Sequence, residues 1–337
     1  MRTWRAIAPH SPPGSVTARR ALVTGAGGFA GQWLCRELVR HGWDVTGSSL
    51  IGAPGPGVMA PEDHDLVHWR RDDLLYADAV RLAVDDSRPD TVFHLAGVAF
   101  LPAAGRDPAL ALDTNVGIAV RLLDVIEERR ASGVLDPVVL IVGSGEQYGR
   151  HDARALPLPE EAACRPLSPY AASKMAQEQF ALAAFRRAGV RVVCTRSFNH
   201  SGRGQSPDFV IPALVKRVVA AARAGERTTT IGNTAVSRDF LHVEDVARAY
   251  VALVEKGVAG EVYNVCSGTQ VTIGDLARLV ADAVGARIEF IPDSGLQRST
   301  DPPHFAGSNQ RLRDDTGWIP RLGIADIIRD VVAAEMA

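Results

Sequence analysis

Ala21-Leu22-Val23 is an unbroken apolar run that stops at Gly25, and a helical pattern follows at once. Between Phe29 and His41 the apolar residues Ala30, Trp33, Leu34 and Leu38 recur at helical spacing against Gln32, Arg36, Glu37 and Arg40. Gly42 stands where a C-terminal cap is expected. The pattern then repeats. "DVTGSSL" predicts a second strand, "LVHWRRDD" a third, "ADAVRLAVDD" a helix, "DTVFHLAG" a fourth strand, Ala109 to Arg130 a long helix and "PVVLIVGS" another strand. Strands alternating with helices in this way imply an α/β fold, a doubly wound parallel sheet covered by helices on both faces, with ligands at the carboxyl ends of its strands. After about residue 197 the alternation loosens. "IPALVKRVVAAARAG" and "TIGDLARLVADAVG" read as helices of a smaller lobe, while "RDFLHVEDVARAYVALVEKG" is expected to return to the main sheet. The expected division is a disordered tail over 1–19, a main domain over 20–197 plus about 237–266, and a smaller lobe over about 198–236 plus 267–337.

Composition narrows the function classes. A net charge of −2 gives no reason to expect a nucleic-acid partner or an anionic membrane surface. Cys35, Cys164, Cys194 and Cys266 are scattered, without CxxC or His-rich spacing, and read as reduced thiols and not as metal ligands. No apolar run approaches the roughly 18 residues of a membrane helix. "MRTWRAIAPHSPPGSVTARR" lacks the continuous apolar core of a signal peptide and reads as a disordered tail, while the reduced thiols make the cytoplasm the expected location.

Two stretches carry candidate chemistry. "GAGGFAG" puts Gly25, Gly28 and Gly31 between a strand and a helix, where bare backbone N–H groups can approach a phosphate. "SPYAASK" puts Tyr170 and Lys174 on one helix face, with Ser168 a natural N-cap and Pro169 suited to the first helical position. The helix dipole and the Lys174 ammonium are expected to lower the phenol's pKa from its usual value near 10, making Tyr170 an acid/base. Ser144 closes the strand before this helix, and Glu146 lies two residues on. Taken singly, these are also an exposed helix face, a turn serine and a solvated acid.

Together with "TGAGGFAG", "HLAG", "VGSGEQYG", "SPYAASK", "FNHSGRGQ", "SRDF" and "GEVYNVCSG", the chain from Ala21 onward resembles the extended short-chain dehydrogenase/reductases, the NAD(P)-dependent sugar-nucleotide epimerases, dehydratases and reductases. "FNHSGRGQSPDFVIP", "NVCSG" and "GSNQRLRDDTGW" are most similar to the family's GDP-4-keto-6-deoxy-D-mannose reductases, which make GDP-D-rhamnose. The resemblance implies a Rossmann-type sheet with a smaller α/β substrate-binding lobe and a homodimer built through a four-helix bundle. It implies cofactor contacts from Gly25, Gly28, Phe29, Ala30, Gly31, Ser48, Asp73, Leu74, Leu95, Ala96 and Gly97, and catalytic roles for Ser144, Tyr170 and Lys174. It implies nucleotide-sugar contacts from Asn199, Val210, Lys216, Arg238 and Arg298, and a structural role for Asn115 behind the lysine. Where NAD-preferring relatives end the second strand with an acid, "VTGSSL" has Ser48 and Ser49, with no arginine beside them in sequence. NADP or NAD therefore both stand, with a lean to NADPH. Glu146 aligns with the base of the family's 4,6-dehydratases, and a 4-epimerase would use the same triad. Both remain alternatives, as does a cofactor-binding regulator without activity.

Overall fold

The computed structural model describes residues 18–55, 57–99, 101–296 and 302–337. Six strands form in sequence: β1 (Arg20–Thr24), β2 (Asp44–Ser49), β3 (Val67–Arg71), β4 (Thr91–His94), β5 (Val138–Ser144) and β6 (Arg191–Ser197). The short β7 (Asn199–Ser201), β8 (Thr228–Ile231), β9 (Ser237–Arg238) and β10 (Phe240–His242) follow, and β11 (Val262–Val265) joins the edge of the large sheet. That sheet has seven parallel strands in the order β11-β6-β5-β4-β1-β2-β3. The chain runs outward one way from β1 and the other way from β4. The two central strands therefore part at their carboxyl ends and leave a crevice there.

The unbroken apolar runs have a simple cause: these strands are buried on both faces. In β1, Ala21 and Val23 pack into one core with Leu34 and Leu38 of helix Phe29–Arg40 and Leu253 of helix Val243–Lys256, whereas Leu22 faces Val80, Leu122 and Leu182 on the other side. A third apolar core gathers Leu214 and Val218 of helix Val210–Ala224, Leu276 of helix Ile273–Val284 and Ile328 of helix Ile324–Met336.

Two elements differ from the pattern read in the sequence. The expected single helix from Ala109 to Arg130 is Pro108–Leu112 and Ile118–Ala131 joined by a π-helical turn, Asp113–Gly117. The wider turn holds buried Asn115, whose Oδ1 accepts from Val98 N at 2.8 Å and whose Nδ2 donates to Ser173 Oγ at 2.8 Å. "RDFLH" does not enter the main sheet: β10 pairs with β7 in a separate two-stranded sheet, and it is helix Val243–Lys256 that packs on the main sheet. Among the described residues no helix is long and apolar enough to cross a membrane. All four thiols are free, and burial pushes each one's pKa up.

Candidate active site

A cleft of about 1020 Å³ opens at the carboxyl ends of the main sheet. One wall is the glycine turn. Gly25 has φ +73°, the left-handed region, and a Cβ there would lie 2.7 Å from Ala96 N. The turn after β1 thus presses on the segment Leu95–Gly97 after β4. At Gly31 a Cβ would sit 2.2 Å from the Gly25 carbonyl oxygen, so the turn closes only onto glycine. Gly28 caps helix Phe29–Arg40 without a side chain, which leaves the first-turn N–H groups facing the cleft. Phe29, Ala30, Ser48, Asp73, Leu74, Leu95, Ala96 and Gly97 line the same wall. Ser48 Oγ is buried there without a hydrogen-bond partner among the described residues.

The opposite wall carries the polar cluster. Ser168 Oγ accepts from Ala171 N at 3.1 Å and caps helix Pro169–Ala188, which puts Tyr170 in the first turn. Ser144 ends β5, and its hydroxyl lies close enough to the Tyr170 hydroxyl to favour the phenolate. A buried chain of bonds fixes this serine. Its N–H donates to Gln147 Oε1 at 3.0 Å, Gln147 Nε2 donates to Glu178 Oε2 at 2.9 Å, and Arg196 donates to both Glu178 oxygens at 2.9 and 2.8 Å. Lys174 Nζ donates to Val142 O at 2.9 Å and Gln177 Oε1 at 3.0 Å. An ammonium has three protons, so one stays available toward Gly97, whose Cβ would lie 3.6 Å from Nζ.

The electrostatics correct one expectation. Burial pushes the Tyr170 hydroxyl up to about 12; the Ser144 hydrogen bond opposes this and the Glu146 charge adds to it. In the free protein, desolvation of the phenolate outweighs the dipole and lysine effects read from the sequence. Burial also lowers Lys174 to about 8. At neutral pH the pair is therefore a protonated phenol beside an ammonium, an arrangement suited to giving a proton.

Beyond this cluster, Asn199, His200, Ser201, Gln205 and Val210 line the rest of the cleft. Asn199 Nδ2, Ser201 Oγ and Gln205 Oε1 are buried without partners among the described residues. Three unmade hydrogen bonds in one pocket are costly unless a hydroxyl-rich ligand makes them. Sequence reasoning missed His200, whose ring stacks on Phe29 at 6.1 Å and bridges the two walls, along with Ser201 and Gln205. The quoted stretch "FNHSGRGQ" contains all three, but only the geometry of β7 and of the turn after it brings them to the cleft.

Two expected substrate contacts do not reach the cleft. Lys216 is exposed on helix Val210–Ala224 and lines no part of it, because its helical position points to solvent. Arg238 is likewise not in the lining; its Nη1 donates to the carbonyls of Ser237 and Pro302, both at 2.8 Å. Arg298 lies outside the described residues.

The glycine turn, the Ser144–Tyr170–Lys174 cluster and the sheet order define a dinucleotide-dependent enzyme of the short-chain dehydrogenase/reductase type. The sequence pattern of the NAD dependent epimerase/dehydratase family matches residues 21–266, and the chain belongs to that family. It is 37% identical over 317 residues to the GDP-6-deoxy-D-mannose reductase of Pseudomonas aeruginosa, covering 94% of this chain and 96% of that protein. It is 31% identical over 315 residues to the UDP-glucose 4-epimerase of Mycolicibacterium smegmatis, covering 93% of this chain and 97% of the other. Among solved structures, RMD from Pseudomonas aeruginosa complexed with NADPH superposes with a TM-score of 0.79 at 34% identity, covering 94% of this chain and 98% of that one.

Proposed function

We propose that this protein reduces the C4 keto group of GDP-4-keto-6-deoxy-D-mannose with NAD(P)H, giving GDP-D-rhamnose. The observation that carries the reading is the adjacent Ser144–Tyr170 pair, protonated at neutral pH and facing a cleft whose other wall is a bare glycine turn. The residues fit a dinucleotide: the turn admits no side chain at Gly25 or Gly31, and Ser48 Oγ waits unpartnered at the far end of that wall. When bound, the nicotinamide supplies the hydride that reduces the carbonyl carbon. Tyr170 gives its proton to the oxygen of the forming alkoxide, so that C=O becomes CH–OH, and Ser144 holds that oxygen by a second hydrogen bond. Lys174 directs its remaining N–H toward the cofactor ribose, and its charge favours the phenolate left behind. Asn199 supplies its unpaired amide to the sugar-nucleotide.

The test is stoichiometry. With the keto sugar generated in situ by a GDP-mannose 4,6-dehydratase, a reductase consumes one reduced cofactor per sugar, read from the loss of reduced-nicotinamide absorbance. A second reading is favoured by one observation: Glu146 lines the cleft close enough for its charge to act on Tyr170. On that reading the protein is a 4,6-dehydratase with Glu146 as base. It would convert GDP-mannose unaided, without net cofactor use.

We also propose a cytoplasmic homodimer. Free thiols suit a reducing compartment. Leu112 and Phe180, 50% and 51% exposed, leave apolar surface on the helices expected to form a four-helix bundle. Light scattering at micromolar concentration should give twice the chain mass of 36.0 kDa, and a monomer would end the proposal.

A further inference from the structure

The turn that leads from β7 to helix Val210–Ala224 is held at one residue from both sides. Arg203 N donates to Asp330 Oδ2 at 2.7 Å, and Arg203 O accepts from Trp33 Nε1 at 3.1 Å. Neither partner is local. Asp330 lies on helix Ile324–Met336 near the end of the chain, and Trp33 lies on helix Phe29–Arg40, the one that follows the glycine turn. A surface turn ordinarily leaves such backbone groups to water, so two buried or half-buried side chains spent on one residue mark a turn whose position matters.

Both partners are themselves fixed. Asp330 Oδ2 also lies 3.5 Å from His242 Nε2 at the end of β10, and His242 Nδ1 accepts from Glu244 N at 3.1 Å, which puts the ring proton on Nε2, facing the carboxylate. The His242 ring meets the Trp33 ring edge-on at 5.7 Å. Trp33 is buried with Val58 and Val243, and Phe29 and Ala30 from the first turn of its own helix pack on the same cluster. The turn settles on that cluster as bare backbone: a Cβ on Gly202 would lie 2.8 Å from Val243 Cγ1, and one on Gly204, at φ +89°, would lie 2.4 Å from Val58 Cγ2. From there the turn enters the cleft lining at Gly204, Gln205 and Ser206, whereas Trp33 and Asp330 stand behind it. Gln205 N donates to Gly202 O at 3.3 Å and Gln205 Nε2 to His200 O at 2.9 Å, so a displacement at Arg203 is passed to Gln205 and to the end of β7.

We propose that Trp33 and Asp330 are positioning residues for the nucleotide-sugar: without touching it, they clamp Arg203 and so hold Ser201 and Gln205 at the cleft. The inference rests on the nucleotide-sugar reading of the cleft and adds to it the device that ties the substrate turn to the helix of the cofactor wall.

The test measures the two ligands separately and the turn directly. Purified wild type, Trp33→Phe, Asp330→Ala and Asp330→Asn are titrated by calorimetry with GDP-mannose and with NADP⁺ and NAD⁺, and amide hydrogen exchange is followed over residues 200–209. Trp33→Phe keeps an aromatic ring and loses one N–H, so GDP-mannose should bind about 3- to 10-fold more weakly; Asp330→Ala loses a charged acceptor, and the loss should be about 10- to 100-fold. Both changes should speed exchange over 200–209 and leave cofactor affinity within about twofold, although Trp33 sits on the cofactor's own helix. Asp330→Asn keeps an oxygen for Arg203 N and should bind GDP-mannose within about threefold of wild type. Unchanged GDP-mannose affinity or unchanged exchange in either Trp33→Phe or Asp330→Ala, an equal loss for sugar nucleotide and cofactor, or an equal loss in Asp330→Ala and Asp330→Asn overturns the assignment while leaving the nucleotide-sugar reading intact. A wild type that binds no GDP-mannose overturns both.

Discussion

Replacing Tyr170 by Phe isolates the proton transfer from everything else the cleft does. The side chain is 8% exposed, and its ring packs near Ala104 and Ala111, so Phe keeps the packing and removes one hydroxyl. The structural loss is at most the polar contact with the Ser144 hydroxyl, about 1 kcal/mol, and Ser144 Oγ still accepts from Glu146 N at 3.2 Å. Melting temperature should therefore fall by only a few degrees. The catalytic loss is larger, since a positioned general acid contributes about 10²- to 10⁴-fold, or about 2.7–5.5 kcal/mol of barrier. We expect kcat to drop by that factor, followed as loss of reduced-nicotinamide absorbance on the keto sugar, with cofactor affinity within about twofold of wild type. A Tyr170→Phe protein keeping more than about a tenth of wild-type kcat would refute the assignment of the proton to this phenol.

Lys174, lowered to about 8 by burial, carries its charge below that pH and loses it above, so kcat/KM should fall as pH rises through about 8. In Lys174→Arg the descending limb should move well above pH 10; a limb left at 8 would assign it to another group. Asn199→Ala removes an amide donor without a partner among the described residues, and should raise substrate KM by about 10-fold with melting temperature unchanged, whereas an unchanged KM would take Asn199 out of the sugar-nucleotide site. Gly31→Ala forces a Cβ to 2.2 Å from the Gly25 carbonyl oxygen, so cofactor binding measured by fluorescence should fall at least about 10-fold, and retained affinity would show that the turn can open.

What the sequence disclosed is what depends on near neighbours. The strand, glycine turn and helix from Arg20 to Arg40 are local patterns, and so is the Ser168 cap that sets Tyr170 in the first turn. What it concealed depends on distant partners. The pairing of β10 with β7 joins Phe240–His242 to Asn199–Ser201, about forty residues apart, and no periodicity announces it. The π-helical turn at Asp113–Gly117 follows from the bonds Asn115 makes to Val98 and Ser173. The upward shift of Tyr170 reflects burial, which a helical wheel does not contain. Arg71 lies 22 residues after Ser49 and becomes its neighbour only through the register of two strands.

The central claim is that hydride passes, with net consumption of the cofactor, to the sugar at C4 while Tyr170 supplies the proton. Reduced cofactor carrying deuterium at nicotinamide C4 is incubated with the purified protein and the 4-keto sugar nucleotide, and the product is examined by NMR. The account predicts one equivalent of deuterium at C4 of GDP-D-rhamnose for each cofactor oxidised. Product without deuterium, or conversion of GDP-mannose by this protein alone with no net cofactor oxidation, would contradict it.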